Sequence, residues 1–156
     1  MIVKLGARTT GEDVVDLLAS CHERIRKFSA MACAIARGQG PKTSDVREAA
    51  GSVRRYFAEA FPLHVADEEE LLQLPARIHE EHIAHAPQID QLVALCAGIE
   101  AGGPVPPELS PLAEKLRKEL DEHLAIEERD VFPAIRALPD AERTRMRDVI
   151  RSRRST

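Results

Sequence analysis

His64 and Glu68 are four residues apart, so on a helix their imidazole and carboxylate lie on one face, one turn from each other. Such a pair can bind one metal ion, or two ions when the carboxylate bridges them. The pattern recurs 59 residues later as His123 and Glu127, and both copies read His-x-Ala-x-Glu-Glu, then a mixed apolar tail, then proline. A single HxxxE is common by chance. The two copies with matching flanks therefore predict a metal site.

Length and composition indicate one soluble helical domain. A chain of 156 residues is long enough to bury a core, and Leu, Ala, Glu and Arg outnumber the four Phe and one Tyr. The net charge of −4 gives no general attraction to nucleic acid. We predict a single domain over residues 1–156, with a bundle at about 11–135 and a basic C-terminal segment at 139–156.

The three cysteines, Cys21, Cys33 and Cys96, are odd in number and form no CxxC pair. This count and spacing exclude a disulfide framework and a cysteine-based zinc site, and they are typical of buried, reduced thiols. The N-terminus lacks the apolar run of a signal peptide, and no stretch approaches the length of a membrane span. We therefore expect a cytoplasmic protein with no membrane partner.

The first predicted helix covers about residues 11–37, from an N-cap at Thr10 with Asp13 as its capping-box-like partner. It ends at Gly38-Gln39-Gly40-Pro41, because glycine and proline stop helices. His22 lies in the middle of the apolar stripe of this helix. For this helix taken alone, a hydrogen-bonded core histidine is the simpler interpretation.

The second predicted helix runs from a cap at Thr43 or Ser44 to about Leu74. Pro62 lies inside it and removes one backbone hydrogen bond, so it either kinks the helix two residues before His64 or separates two shorter helices.

The run Glu68-Glu69-Glu70 reads as a solvated acidic stretch if all three face water. Glu68, however, is three residues from Val65 and from Leu71, on the predicted buried side, which favours a ligand at this position.

The third predicted helix follows Pro75 and carries His79, His82 and His85 at intervals of three. This spacing excludes the HExxH zinc-protease motif, whose histidines are four residues apart. His82 and His85 fall within roughly 40° of the centre of the apolar face, whereas His79 is roughly 100° away. In an antiparallel pair of helices, the level of Glu68 corresponds to about residue 83. The choice between His82 and His85 therefore stays open.

A loop is predicted from Gly98 to Pro111, and Ser110-Pro111 is an N-cap followed by proline at the first helical position. The fourth helix then places His123 and Glu127 on its apolar side and reaches Pro133.

A short fifth helix is predicted to open at Pro139-Asp140. No aromatic residues alternate with its arginines, so a solvated end is favoured over an RNA-binding or lipid-binding segment. The arginines are Arg143, Arg145, Arg147, Arg151, Arg153 and Arg154.

Four amphipathic helices joined by short or moderate loops predict an all-α, up-down-up-down four-helix bundle with a short C-terminal fifth helix. Each bundle helix places a histidine inward, and the second and fourth add a glutamate. Burying these groups without partners would cost several kcal/mol each, and a metal ion supplies the missing partner. Nitrogen and oxygen ligands without thiolate suit iron, manganese or zinc, and two bridging glutamates favour a dinuclear site.

With this pattern the chain resembles the hemerythrin-like proteins, also called HHE cation-binding domains, over about residues 11–135. Two features depart from invertebrate hemerythrin: histidine gaps of two on the third helix, and HxxxE in place of HxxxxD on the fourth. Ferritin-like di-iron bundles fit less well, because no histidine here has a glutamate three residues before it. The resemblance implies a metal-ligand set of His22, His64, Glu68, His82, His85, His123 and Glu127.

The resemblance further implies two iron ions with an oxo or hydroxo bridge, with zinc or manganese as substitutes in a heterologous preparation. The implied function is non-enzymatic binding of a small diatomic ligand, O2 or NO, for sensing, carriage or iron and oxygen homeostasis. The alternative is a di-iron enzyme that acts on peroxide or NO or repairs iron–sulfur clusters. We expect no nucleic acid partner. Formation of a homodimer stays an open alternative. An apolar surround is expected from Leu18, Ile25, Phe61, Leu120 and Ile126.

Overall fold

The computed structural model describes residues 13–38 and 43–154. Within these residues the chain is helical and contains no strand, as predicted. We number the helices α1 (Val14–Ala36), α2 (Thr43–Arg55, Tyr56–Ala60 and Phe61–Leu71), α3 (Ala76–Glu100), α4 (Leu109–Ile126, Glu127–Val131 and Phe132–Arg136) and α5 (Asp140–Arg154). In the described part of the chain, none of these helices combines the length and apolar character that a membrane crossing requires.

The ends of α1 follow from local chemistry. The predicted cap at Thr10 lies outside the described residues; within them, Asp13 occupies the N-cap and its carboxylate accepts a hydrogen bond from the Val15 N–H at 3.1 Å. At the other end Gly38 has a φ of +69°, a left-handed conformation that glycine adopts at little cost.

Two of the helices contain a π-helical turn next to a Phe-Pro pair. In α2 the Phe61 N–H bonds to the Tyr56 carbonyl, and in α4 the Phe132 N–H bonds to the Glu127 carbonyl, each five residues back. The following proline has no N–H, and its ring would clash with the carbonyl four residues back, so a wider turn accommodates it. The backbone of α2 therefore continues through Pro62 over residues 43–71, which decides the two alternatives in favour of one continuous helix.

The order of the helices is that of an up-down-up-down bundle. Consecutive helices pack against each other, and α1 also packs against α4, which closes the ring. Along α2 and α3, Glu69 contacts His82 while Arg54 contacts Glu100, so the two helices run antiparallel. This arrangement brings the HxxxE segment of α2 to the level of the histidines on α3.

The connection between α3 and α4 is shorter than predicted. Helix α3 opens with Pro75 in its N-cap position, as expected, and continues to Glu100. Helix α4 starts at Leu109 with Glu108 in the N-cap position, so Ser110 lies inside the first turn and the prediction of Ser110 as the cap is wrong.

The apolar core consists of two clusters separated by a polar layer. On α1, Leu18 belongs to the cluster near α5 and Ile25 to the main cluster, with the fully buried His22 between them. On α4, Leu124 and Val131 flank the equally buried Glu127 in the same way. The histidines and glutamates of the repeat therefore form a layer across the bundle rather than a surface patch.

Helix α5 is docked on the bundle rather than solvated. Met146 and Ile150 are buried against the smaller apolar cluster. Arg153 and Arg154 donate to the two oxygens of the buried Asp67, at 2.7 and 2.6 Å. The prediction of a solvated arginine-rich end is therefore wrong for this turn, because Asp67 on α2 is a buried carboxylate that requires cations.

Candidate metal centre

Six of the seven predicted ligand residues meet in the polar layer. Their donor atoms form two groups in which all atoms lie within 4.8 Å of one another. Glu68 and Glu127 belong to both groups. Each group offers four nitrogen and oxygen atoms that could hold a metal ion. The first group is His22, His64, Glu68 and Glu127; the second is His82, His123, Glu68 and Glu127.

The imidazoles all present Nε2 to the shared carboxylates. In the first group, His22 Nε2 lies 3.0 Å from Glu127 and His64 Nε2 lies 3.1 Å from Glu68. In the second, His82 Nε2 lies 3.2 Å from Glu68 and His123 Nε2 lies 3.1 Å from Glu127. Each glutamate therefore faces one imidazole of each group.

The hydrogen bonding of this layer is incomplete in a way that suits a cation. His22 Nε2, Glu68 Oε1 and both side-chain oxygens of Glu127 are buried and have no hydrogen-bond partner among the described residues. Buried polar atoms are rarely left unpaired, and four such atoms within these two donor groups need a partner. Because all four are nitrogen or oxygen donors, the donor set fits a divalent metal such as iron, manganese or zinc.

The same contacts control protonation. Burial opposes protonation of His22, but the carboxylates of Glu127, Glu68 and Glu128 together outweigh it and raise the pKa of His22 to about 9. Burial likewise opposes protonation of His64, yet Glu68 raises its pKa to about 10. Burial favours the neutral form of Glu68, but the charge of His64 holds the pKa of Glu68 well below its usual range. In the absence of metal the site therefore retains protons, and a cation must displace them.

Three carboxylates hold the outer nitrogens of three of these imidazoles. Glu128 contacts His22 Nδ1 at 2.9 Å, Glu69 contacts His82 Nδ1 at 2.7 Å, and Glu81 contacts His123 Nδ1 at 2.8 Å. A carboxylate on Nδ1 fixes the tautomer that leaves Nε2 free to bind metal and makes it more basic.

Sequence reasoning did not assign roles to these three glutamates, although a signal was present. Glu69 and Glu128 are the second glutamates of the two His-x-Ala-x-Glu-Glu copies, and Glu81 directly precedes His82. The interpretation of Glu69 as part of a solvated run is thus replaced by a contact with His82 and the exposed His79.

His64 is the exception among the imidazoles. Within the described residues its Nδ1 has no hydrogen-bond partner, and its polar neighbour on the outer side is the Cys21 thiol. All three cysteines are buried, in agreement with the prediction of buried thiols.

The structure places His85, the seventh predicted ligand, outside both groups of the described residues. Its ring is buried and lies 5.6 Å from the ring of His123, and its Nε2 faces Glu119 at 3.6 Å. Burial and the nearby His123 lower its pKa, so His85 is neutral. Of the two alternatives on the third helix, the geometry places His82 in the donor cluster and His85 beside it.

A small, largely enclosed cavity of about 10 Å³ adjoins the site, roughly enough for one water-sized molecule. Its histidines are His64, His82, His85 and His123; its other walls are Ile25, Phe61, Val65, Leu120 and Leu124. Three residues of the predicted apolar surround thus line it, whereas Leu18 packs in the smaller cluster and Ile126 is half-buried elsewhere.

Comparison with known protein families gives a match. The family model for the hemerythrin HHE cation-binding domain matches residues 73–153, more than half of the chain. The matched stretch contains His82, His123 and Glu127, whereas the remaining donors of the cluster precede it. No curated protein matches the chain.

Proposed function

The chain belongs to the family of hemerythrin HHE cation-binding domains, and from this we propose that it is a non-haem di-iron protein that binds a small diatomic ligand, O2 or NO. The physiological role we propose is sensing, carriage or iron and oxygen homeostasis without turnover. The observation that carries the proposal is the pair of donor groups that share Glu68 and Glu127.

The ligand set supports two ions rather than one. Each group contributes two imidazoles and one oxygen from each shared carboxylate. A single ion would leave donors of the other group buried without a partner, which is costly. We propose His22 and His64 as terminal ligands of one ion, His82 and His123 as terminal ligands of the other, and the two glutamates as bridges. His85 stays a candidate ligand of the second ion because it borders the same cavity.

The protein's own residues prepare the site for this role. Glu69, Glu81 and Glu128 hold three imidazoles with Nε2 turned inward, so little reorganisation accompanies binding. The apolar walls of the adjoining cavity disfavour hydrated ions and admit a small uncharged molecule. When bound, ferrous iron supplies the coordination position and the electrons that O2 or NO binding requires.

The test is metal analysis followed by anaerobic reduction and gas titration. The iron-reconstituted protein should contain two iron ions per chain, and its absorbance should change stoichiometrically with added O2 or NO. A spectrum that reverses when the gas is removed supports carriage or sensing. No iron uptake, or one zinc ion per chain as the only stable form, would remove the di-iron proposal.

The same titration distinguishes the enzymatic alternative, in which the centre acts on peroxide or NO or repairs iron–sulfur clusters. Continuous consumption of peroxide or NO with a fast conversion to the oxidised form would favour an enzyme. A stable, reversible complex would favour binding.

A further inference from the structure

An open groove of about 420 Å³ lies between α2 and α3, next to the candidate metal centre. Its lining is apolar except for His82 and Asp90. The groove exists because short side chains face each other across the two helices, and on α2 they recur every four residues on one face. These short residues are Ala58, Pro62 and Ala66 on α2 and Ala86 on α3.

This groove and the small cavity beside the histidines have a common wall. Phe61, Val65 and His82 line both of them. These side chains therefore lie between an apolar surface that is open to solvent and a space that touches both donor groups. Val65 is half-buried, and its short side chain closes less of the wall than the ring of Phe61.

The opposite side of the centre is closed. The ring of Phe132 stacks on His22 at a centroid distance of 5.0 Å, and both residues are buried. Beyond His22, the Arg26 guanidinium forms two hydrogen bonds with Glu128, at 2.9 and 3.1 Å. A ligand that approached from this side would have to open a stacked ring pair and a bidentate ion pair.

We propose that the groove between α2 and α3 is the entry route for the diatomic ligand, with Phe61 and Val65 as its gate. This inference rests on the proposed function, namely that the centre binds O2 or NO. The groove collects uncharged apolar molecules, because a hydrated ion would lose its water against these walls. The inner cavity then selects by size, since it holds about one small molecule.

A matched pair of substitutions tests the route. Ala86 and Ala84 are both exposed on α3, two residues apart, but only Ala86 lines the groove. Ala86→Trp places a large ring in the groove, and Ala84→Trp places the same ring outside it. Val65→Ala widens the gate and serves as a second, independent variant that adds no bulk.

The first measurement is the association rate of NO with the reduced iron protein, by stopped-flow absorbance. Ala86→Trp should slow association about tenfold, within the one to three decades over which variants of one site differ in rate. Ala84→Trp should leave the rate unchanged, and Val65→Ala should raise it. Equal rates in the two tryptophan variants, or a slower rate in Val65→Ala, would overturn the proposal.

The second measurement does not depend on ligand binding to iron. In the zinc-loaded protein, dissolved O2 should accelerate the nuclear relaxation of the Ile25 and Leu120 methyl groups, which line the inner cavity. Ala86→Trp should reduce the effect, because fewer O2 molecules enter the cavity per unit time, and Ala84→Trp should retain it. If the relaxation pattern holds but the iron protein binds neither gas, the proposed function fails and the route stands. If both tryptophan variants show the same relaxation, the route fails whatever the iron protein binds.

Discussion

The two donor groups share Glu68 and Glu127, yet their surroundings differ. The first group is buried throughout, and the ring of Phe132 covers its His22. In the second group the His82 side chain, 6% exposed, borders the groove between α2 and α3. The cavity touches both groups, through His64 and His123, but only the second group also borders the open groove, whereas the first is packed against Phe132 on its His22 side. On the proposed function, this difference predicts that the first group mainly holds its ion and that the second exchanges ligand.

The largest effect on metal content is expected when a carboxylate that both groups share is removed. Glu127→Ala takes one oxygen from each group and leaves His22 and His123 without their common partner. Metal content should fall from two ions per chain to none, measured by elemental analysis of the reconstituted protein. Glu122→Ala, an exposed glutamate on the same helix, is the control and should retain two ions. Full metal content in Glu127→Ala would show that the carboxylate is not shared.

Removing a terminal histidine should remove one of the two ions and leave the other in place. His22→Ala should lose the ion of the first group and keep the other, and His123→Ala should do the reverse. Because the cavity borders His123 and not His22, NO binding should persist in His22→Ala and disappear in His123→Ala. Metal analysis and NO titration of both variants check this. The same NO response in both variants would mean that the two halves have equal roles.

A smaller effect on metal binding is expected when the carboxylates that contact the outer histidine nitrogens are substituted. Glu81→Gln weakens the hold on His123, and Glu128→Gln weakens the hold on His22. Loss of such a partner typically lowers metal affinity about 10- to 100-fold. Each variant should therefore lower the affinity for one of the two ions selectively. Competition with a chelator measures the two affinities. Glu80→Gln, the exposed neighbour of Glu81, is the control and should match the wild type.

The smallest expected effect is the pH dependence of the stability of the metal-free protein. The pKa values of His22 and His64 are raised from 6.5 to about 9 and about 10, so the folded state holds protons that the unfolded chain releases. This contribution to stability is complete below pH 6.5 and is lost as pH rises through 9 to 10. The melting temperature with chelator present should therefore fall across this window.

The metal-loaded protein is the matched comparison, because its histidines carry no such protons. The gap between the two melting temperatures should widen as the pH rises. A metal-free melting temperature that increases between pH 6.5 and 9 would contradict the assigned contacts.

Much of this architecture could be predicted from spacing. His22, His64, His123, Glu68 and Glu127 each fall on the apolar stripe of a long helix, and such stripes meet in the core of a bundle. The resemblance to HHE domains that followed from these residues is confirmed by the family match. Periodicity places a residue on a face but gives no side-chain rotamer. For this reason it could not choose between His82 and His85, which lie on almost the same face of α3.

The features that sequence reasoning missed depend on contacts between distant residues. The π-helical turns arise from a clash between each proline and a carbonyl one turn earlier, which apolar periodicity does not register. The sequence predicts a solvated helix α5, because its arginines have no aromatic neighbours in sequence. Their partner, Asp67, is 86 residues away from Arg153 along the chain.

The central claim is that two ions share Glu68 and Glu127, and anomalous diffraction at the iron edge tests it most directly. Crystals of the iron-reconstituted protein should show two anomalous peaks in the polar layer. One should lie beside His22 and His64, the other beside His82 and His123, and both should contact the two glutamates. A single peak, or two peaks of which either lacks one of the glutamates, would contradict the account.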